Sequence, residues 1–341
     1  MKITTLRKAA SVLLAICLSA SMALAASGAQ WKARLTIALP AKPTAISYSP
    51  DGTLIAVGHA DGRVTIWETR TGTLVRSLNA HKAGVRTLAF TFQGTKLITL
   101  GDEDLVRMWS VSDWTEAGSL EDAAFSFAVS RDGQRLVAQD SQQALWLWDL
   151  TTLKRTRQLV KAGVGGAYDA NFTSDDQHVV VVFGSDPHLI DVASGTDAKL
   201  PVRTAKPKVN LKQTGDKTFV MSLGALDDDS AMSHNLSTSK GGTLVAVGRG
   251  WYGKPAFVDV FDTNKMQRLG RLKPKEGGTQ SSFSFDDSLI AIEGDKTVTV
   301  WKVSEGKQDG AVPGNGLVQF SPISLELAVT NDNSLILYNP S

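Results

Sequence analysis

The stretch from Ser47 to Gly58 reads Ser-Tyr-Ser-Pro-Asp-Gly-Thr-Leu-Ile-Ala-Val-Gly. An alternating apolar run leads into the tight polar turn at Ser49 to Gly52, and a second apolar run follows it. Two apolar runs joined by a short Pro- and Gly-containing turn are the pattern of a β-hairpin. The stretch therefore predicts two antiparallel strands.

The same hairpin pattern returns along the chain, in residues 89–101, 128–138, 171–182, 237–248, 282–294 and 319–330. A third apolar run closes each unit on a bulky residue, namely Trp67, Trp109, Trp148, Ile190, Phe261, Trp301 and Tyr338. The intervals between these residues are 42, 39, 42, 71, 40 and 37 residues, so five of the six lie near one period. A period of about 40 residues is typical of propeller blades.

Three features resemble the WD40 repeat family: the Trp148-Asp149 pair, the turn at Ser49 to Gly52, and His81 ahead of a strand. The resemblance extends from Trp31 to Ser341, apart from one insertion. It implies an all-β fold, a seven-bladed WD40-like β-propeller whose blades are four-stranded antiparallel sheets arranged around a channel.

The chain departs from the family pattern at the residues that brace ideal blades. The glycine-histidine pair is missing from most units, and His81 is its one plausible survivor. The turn aspartate six residues before the tryptophan is present as Asp61 and Asp295 but is replaced by Glu103 and Gln142. The bracing hydrogen-bond network is therefore predicted to be incomplete in every unit. The bulky residues are predicted to pack between neighbouring blades.

The two ends of the repeat array predict how the ring closes. No outermost strand follows Tyr338, whereas Trp31 to Leu39 reads as a strand without a blade of its own. We expect this N-terminal strand to close the seventh blade and to remove two exposed edges. The 71-residue interval indicates an insertion at about 203–230, between blades 4 and 5, with an eighth blade as the alternative.

Residues 1–25 have the pattern of a signal peptide, which makes 26–341 the mature propeller and the protein secreted or periplasmic. Basic residues precede a short apolar stretch, and Ala23-Leu24-Ala25 follows. An uncut membrane anchor is the alternative; after cleavage no membrane span is expected.

Residues 1–25 contain three of the 36 basic residues, none of the 34 acidic ones and the single cysteine, Cys17. The remainder has a formal net charge of −1, which gives no electrostatic reason to expect nucleic acid as a partner.

Motifs for catalysis, metals and cofactors are not found in the sequence. It lacks Gly-x-Ser-x-Gly, His-Glu-x-x-His and phosphate-binding glycine loops, so we expect no enzyme and no catalytic residues. The histidines are scattered, and the acidic run 227–229 has no spaced calcium-ligand pattern, so no metal site is expected. A quinone- or haem-holding propeller is a rival interpretation. No haem-attachment motif or tryptophan-dense repeat supports it, and no cofactor is expected.

Function is predicted as that of a scaffold or recognition module for a protein partner, acting as a monomeric ring. The alternative is binding of a small molecule or glycan, with or without enzymatic activity, at the central mouth of the ring. The stretch 248–255 is predicted to be a long loop on the same face as the 203–230 insertion. Its adjacent aromatics, Trp251 and Tyr252, are the predicted partner-binding residues, because exposed aromatic anchors are typical of interface hot spots.

Overall fold

A computed structural model of the chain describes residues 29–162, 167–173, 175–183, 186–200, 232–240, 242–251, 254–275 and 278–341. Within these ranges the regular structure consists of strands, arranged as seven antiparallel sheets of four strands each. The seven sheets follow one another along the chain as the blades of a propeller, which confirms the predicted fold. The signal sequence at 1–25 and the insertion at 203–230 lie outside the described residues.

Strands β2 to β13 form blades 1 to 3, with the bounds Pro43–Tyr48, Leu54–His59, Arg63–Glu68, Leu74–Asn79, Val85–Phe90, Lys96–Gly101, Leu105–Ser110, Glu116–Glu121, Ala124–Val129, Arg135–Gln139, Leu145–Asp149 and Lys154–Val160. Strands β14 to β21 form blades 4 and 5, with the bounds Ala167–Phe172, His178–Phe183, Asp186–Asp191, Asp197–Lys199, Met232–Thr238, Leu244–Trp251, Lys254–Asp262 and Gln267–Leu272. Strands β22 to β25 form blade 6, and β26 to β28 with β1 form blade 7, with the bounds Ser281–Phe283, Leu289–Ile292, Thr297–Lys302, Lys307–Pro313, Val318–Phe320, Leu327–Asn331, Ser334–Pro340 and Trp31–Ala38.

The turn between the first and second strands explains why the quoted stretch folds as a hairpin. Gly52 N–H donates to the Ser49 carbonyl at 2.8 Å, and Gly52 has a φ of 69°, which glycine adopts without steric cost. The Asp51 carboxylate accepts the Ser49 hydroxyl and the Thr53 N–H, at 2.6 and 3.0 Å. The turn is therefore satisfied by its own residues, and the blade does not depend on its neighbours to form it.

The hydrophobic core lies between the blades. Each of seven buried clusters combines apolar residues of two consecutive blades. Five clusters contain the bulky residue predicted to close the third strand of the later blade; Trp109, for example, shares a cluster with residues of blade 1. In the other two, Trp67 and Trp301 are partly buried and pack against the cluster. These residues therefore pack between blades, as predicted.

The ring is closed by the N-terminal strand. Strand β1 pairs antiparallel with β28 from Trp31 opposite Pro340 to Ala38 opposite Ser334, so it is the outer strand of blade 7. Ile37 and Leu39 are 4% and 7% exposed in the cluster between blades 7 and 1. The predicted closure is confirmed: the chain runs from β1 in blade 7 directly into β2 of blade 1, and backbone pairing between β1 and β28 completes the ring.

One prediction about blade bracing was wrong. In blade 2 the network is complete, because Glu103 takes the place of the aspartate. Its carboxylate lies 2.8 Å from His81 Nδ1, His81 Nε2 lies 2.8 Å from the Thr99 hydroxyl, and Trp109 Nε1 donates to the same hydroxyl at 3.1 Å. Glutamate is one methylene longer than aspartate, and its carboxylate still reaches His81. The replacement therefore does not interrupt the network, contrary to what the sequence had suggested.

Candidate functional site

A channel of about 760 Å³ runs along the axis of the ring and is lined by residues of the first strand and first turn of the blades. Connections between blades and hairpins between the second and third strands lie on one side of the ring, called here the loop face. Hairpins between the first and second strands lie on the opposite side, called here the turn face. Both faces contribute lining residues to the channel mouths.

Polar side chains of the channel wall join neighbouring blades. Gln319 Oε1 accepts the Tyr48 N–H at 3.0 Å between blades 7 and 1, and Ser282 Oγ accepts the Phe320 N–H at 3.0 Å between blades 6 and 7. The Ser237 and Ser281 hydroxyl oxygens lie 2.9 Å apart between blades 5 and 6. These groups hold the ring together, because each satisfies a hydrogen-bonding group that the adjacent blade presents to the channel.

Asp169 is the carboxylate that links three blades. Its Oδ1 accepts the Ser126 hydroxyl of blade 3 at 3.0 Å, and its Oδ2 accepts the Leu236 N–H of blade 5 at 2.9 Å. Burial raises the pKa of Asp169 to about 6, although these hydrogen bonds act in the opposite direction. Both carboxylate oxygens are thus occupied by structural contacts.

An exposed aromatic and a fixed cation lie together at the loop-face mouth of the channel. Phe125 is 48% exposed and has a φ of 68°, at a register shift in the first strand of blade 3. The Arg86 guanidinium carbon lies 5.9 Å from the centre of the Phe125 ring, and the arginine is paired with Asp104 at 2.9 Å and Asp102 at 3.2 Å. A bulky residue at positive φ is strained, and such strain is concentrated at functional sites.

Trp251, one of the two predicted binding residues, lies in the hairpin between the second and third strands of blade 5. The prediction of a long loop at 248–255 was wrong: β19 extends to Trp251 and β20 begins at Lys254, with Arg249 opposite Phe257 and Trp251 opposite Lys254. Pairing between β19 and β20 extends both strands into the stretch where the glycines of the sequence had indicated a loop. Tyr252 lies outside the described residues, and Trp251 is placed at the end of its strand.

Histidines of the described residues serve the blades. His59 is fully buried, with Nδ1 3.0 Å from the Ala41 carbonyl oxygen and Nε2 2.8 Å from the Thr65 hydroxyl. A carbonyl oxygen only accepts, so Nδ1 carries the proton, and burial lowers the pKa of the ring.

Among the residues that the structure describes, no three His, Cys, Asp or Glu side chains are grouped closely enough to hold a metal ion. No helix in this part of the chain is long and apolar enough to cross a membrane.

Comparisons with known proteins relate the chain to WD40 repeats. Residues 13–93 match the family of the anaphase-promoting complex subunit 4 WD40 domain. The β-propeller domain of Cps50 (Swd1) from Myceliophteria thermophila superposes with a TM-score of 0.72 over 92% of this chain and 100% of that one, at 13% identity. The chain thus has the fold of a WD40 propeller.

Two relatives show how far the similarity extends in sequence. The WD40-like propeller is 23% identical over 264 residues to autophagy-related protein 16 of Arabidopsis thaliana, covering 69% of this chain and 50% of the relative. It is 38% identical over 76 residues to the pre-rRNA-processing protein IPI3 of Mycosarcoma maydis, covering 22% of this chain and 13% of the relative. The propeller thus spans half or less of the length of these two relatives.

Sequence reasoning missed Arg86 and Phe125. Both are second residues of the innermost strand of their blades, in β6 and β10. At this position a register shift turns the residue towards the channel mouth of the WD40-like propeller. A signal was present in the sequence, because Arg86 and Phe125 stand at the same position of their repeats. A bulky or charged residue at this position does not pack between blades.

Proposed function

We propose that this chain is an exported WD40-like propeller that recognises a protein partner through its loop face, by binding rather than by catalysis. The observation that carries the proposal is the strained, exposed Phe125 beside Arg86 at the channel mouth. Aromatic and arginine side chains are enriched among interface hot spots. The similarity to WD40 proteins supports a role as an interaction platform.

Phe125 and Arg86 supply two kinds of contact to a partner. The half-exposed ring offers apolar area at the centre of the face, and its removal from water on binding is favourable. The arginine is held in place by Asp102 and Asp104, so little side-chain entropy is lost when a partner carbonyl or carboxylate binds it.

The experiment begins with affinity purification of the tagged protein from its native cells, with mass spectrometry to identify the partner. Affinity for that partner is then compared between the native protein and the Phe125→Ala and Arg86→Ala variants. We expect each variant to bind at least tenfold more weakly. Leu74→Ala is the matched control, because Leu74 is 47% exposed but lies on the outer strand of blade 1, away from the channel mouth. Unchanged affinity in both loop-face variants would refute the proposal.

Trp251 and Tyr252 are proposed as further contacts on the loop face. Replacing both with alanine is expected to weaken partner binding while the melting temperature stays the same. A lower melting temperature with binding intact, after correction for the folded fraction, would assign the pair to packing.

Export is proposed from the pattern of residues 1–25. Intact-mass analysis of the protein from its native cells is expected to give a chain that begins at Ala26. A mass that includes Met1, or a lipid on Cys17, would contradict cleavage at this site.

A further inference from the structure

The turn face carries an apolar strip that neither blade packing nor the loop-face proposal uses. In the turns between first and second strands, the second residue lines the channel mouth in six blades; these residues are Pro50, Phe92, Arg131, Lys240, Phe285 and Pro322. Four of the six are apolar and belong to the consecutive blades 6, 7, 1 and 2. With the neighbouring Ile323 they form the apolar crescent.

The crescent is continuous and open to solvent. Ile323 is 54% exposed and Phe92 48% exposed. Ile323 lies directly over Gly52, where a Cβ atom would come within 2.7 Å of it, and a Cβ atom on Gly94 would lie 3.5 Å from Pro50 Cδ. The turns of blades 7, 1 and 2 therefore lie against one another, and Phe285 of blade 6 extends the apolar lining of the channel mouth.

The two cations at the ends of the crescent are engaged within the ring. The Lys240 ammonium donates to the Pro322 carbonyl oxygen at 2.8 Å, and the Arg131 guanidinium carbon lies 4.5 Å from the centre of the Phe92 ring. The first contact joins a side chain of blade 5 to the backbone of blade 7, and the second joins side chains of blades 3 and 2. Beside these contacts Phe92 and Ile323 stay about half exposed.

Exposed carboxylates that do not line the channel belong to four of these turns. The third residue of the turn is an exposed aspartate in four blades, namely Asp51, Asp132, Asp175 and Asp286. Hydrogen bonds from the hydroxyl and N–H groups of their own turns contribute to lowering the pKa of each below its usual value, so all four stay charged at neutral pH. Each of the seven turns is taken as the six residues that begin with its first Ser or Thr. Together the turns contain seven acidic and four basic residues, a formal net charge of −3.

We propose that the apolar crescent binds a partner segment with apolar side chains flanked by lysine or arginine. Apolar residues of the segment would cover Phe92, Pro50 and Ile323, and its cations would meet Asp51 and Asp286. Exposed apolar surface rimmed by charge is a mark of an interaction site, and the charge selects a partner of opposite sign. This inference is independent of the loop-face proposal.

Two peptides test the inference by isothermal titration with the full-length protein. One has a Leu-Phe-Ile core between pairs of lysines, and the other has glutamates in place of the lysines. The lysine peptide is expected to bind at least tenfold more tightly than the glutamate peptide. Phe92→Ala combined with Ile323→Ala should weaken binding at least tenfold, whereas Phe125→Ala on the loop face should leave it unchanged.

The charge contribution is tested with Asp51→Asn and Asp286→Asn, which keep the Oδ1 acceptor of the turn and remove the charge. Together they should weaken binding severalfold and reduce its dependence on salt. The inference is overturned if neither peptide binds, if both bind equally, or if Phe125→Ala abolishes binding. Self-association that Phe92→Ala abolishes would assign the crescent to a second copy of the chain and would also overturn it.

Discussion

The carboxylate of Asp176 in blade 4 accepts the backbone N–H of Arg131 in blade 3, with 2.7 Å between Oδ1 and the nitrogen. Its second oxygen accepts the Asp132 N–H at 3.0 Å. Asp176 occupies the turn position at which Gly52, Gly94 and Gly133 have positive φ, and its own φ is 57°. The aspartate thus accepts a less favourable backbone conformation at the position where its carboxylate joins two blades.

Removing this carboxylate is expected to destabilise the ring. Asp176→Ala loses two hydrogen bonds to a charged acceptor and keeps a side chain at positive φ, so we expect a loss of about 2–4 kcal/mol in the free energy of unfolding. Asp176→Gly should cost less, because glycine tolerates the conformation. Urea denaturation of both variants measures the difference, and an Asp176→Ala variant as stable as the native protein would contradict the bracing role.

The hydroxyl of Thr99 is expected to contribute more to stability than that of Thr299. Thr99 Oγ1 contacts both His81 and Trp109, whereas Thr299 Oγ1 accepts Trp301 Nε1 at 2.9 Å and is otherwise 3.4 Å from a carbonyl oxygen. Thr99→Val should therefore cost about 1–3 kcal/mol, and Thr299→Val about half as much. Thermal unfolding of the two variants makes the comparison within one protein. Equal losses would show that the His81 contact contributes nothing measurable.

The contribution of two buried carboxyl groups, Glu293 and Asp169, to the stability of the protein is expected to fall as the pH rises from 5 to 8. Burial raises the pKa of Glu293 to about 7, the charge of Asp295 adds to this effect, and the pKa of Asp169 is raised to about 6. Between the unfolded value near 4.5 and the folded value, the folded state retains a proton that the unfolded state has lost. The stability associated with that proton is therefore lost as the pH rises through about 7.

Glu293→Gln isolates this effect, since glutamine has the same shape and no charge. We compare the free energy of unfolding of the variant with that of the native protein at each pH. This difference is expected to favour the variant more at pH 8 than at pH 5, by on the order of 2 kcal/mol. Urea denaturation at the two pH values provides the measurement. An identical pH dependence in the two proteins would show that Glu293 ionises without cost in the folded state.

Deleting residues 26–39 is expected to open the ring. The deletion removes β1 and leaves the edge of β28 unpaired, and burial of Ile37 and Leu39 alone is worth about 3–6 kcal/mol. A large fall in melting temperature, or aggregation through the exposed edges on size-exclusion chromatography, should result. Deleting only residues 26–28 keeps β1 intact and serves as the control. A variant lacking 26–39 that melts like the native protein would mean that the clasp does not stabilise the ring.

Much of the fold could be predicted because its signals are local. The turn at Ser49 to Gly52 satisfies its own hydrogen bonds, so its pattern can be read in each repeat without knowledge of the neighbours. The candidate site was predicted less well. The loop assigned to 248–255 is mostly strand, because pairing between β19 and β20 outweighs the local preference of the glycines.

By itself, the sequence predicted seven blades, with eight as the alternative, the residues that pack between them and the strand that closes the ring. These follow from spacing along the chain, since a blade is built from consecutive strands. Only the tertiary structure decided that Glu103 completes a network with His81, that Arg86 meets Phe125, and that Asp169 joins three blades. Asp169 is 43 residues from Ser126 and 67 from Leu236, and only the radial packing of the blades brings those groups within hydrogen-bonding distance. Distances between blades depend on how the whole ring closes, and no local pattern encodes them.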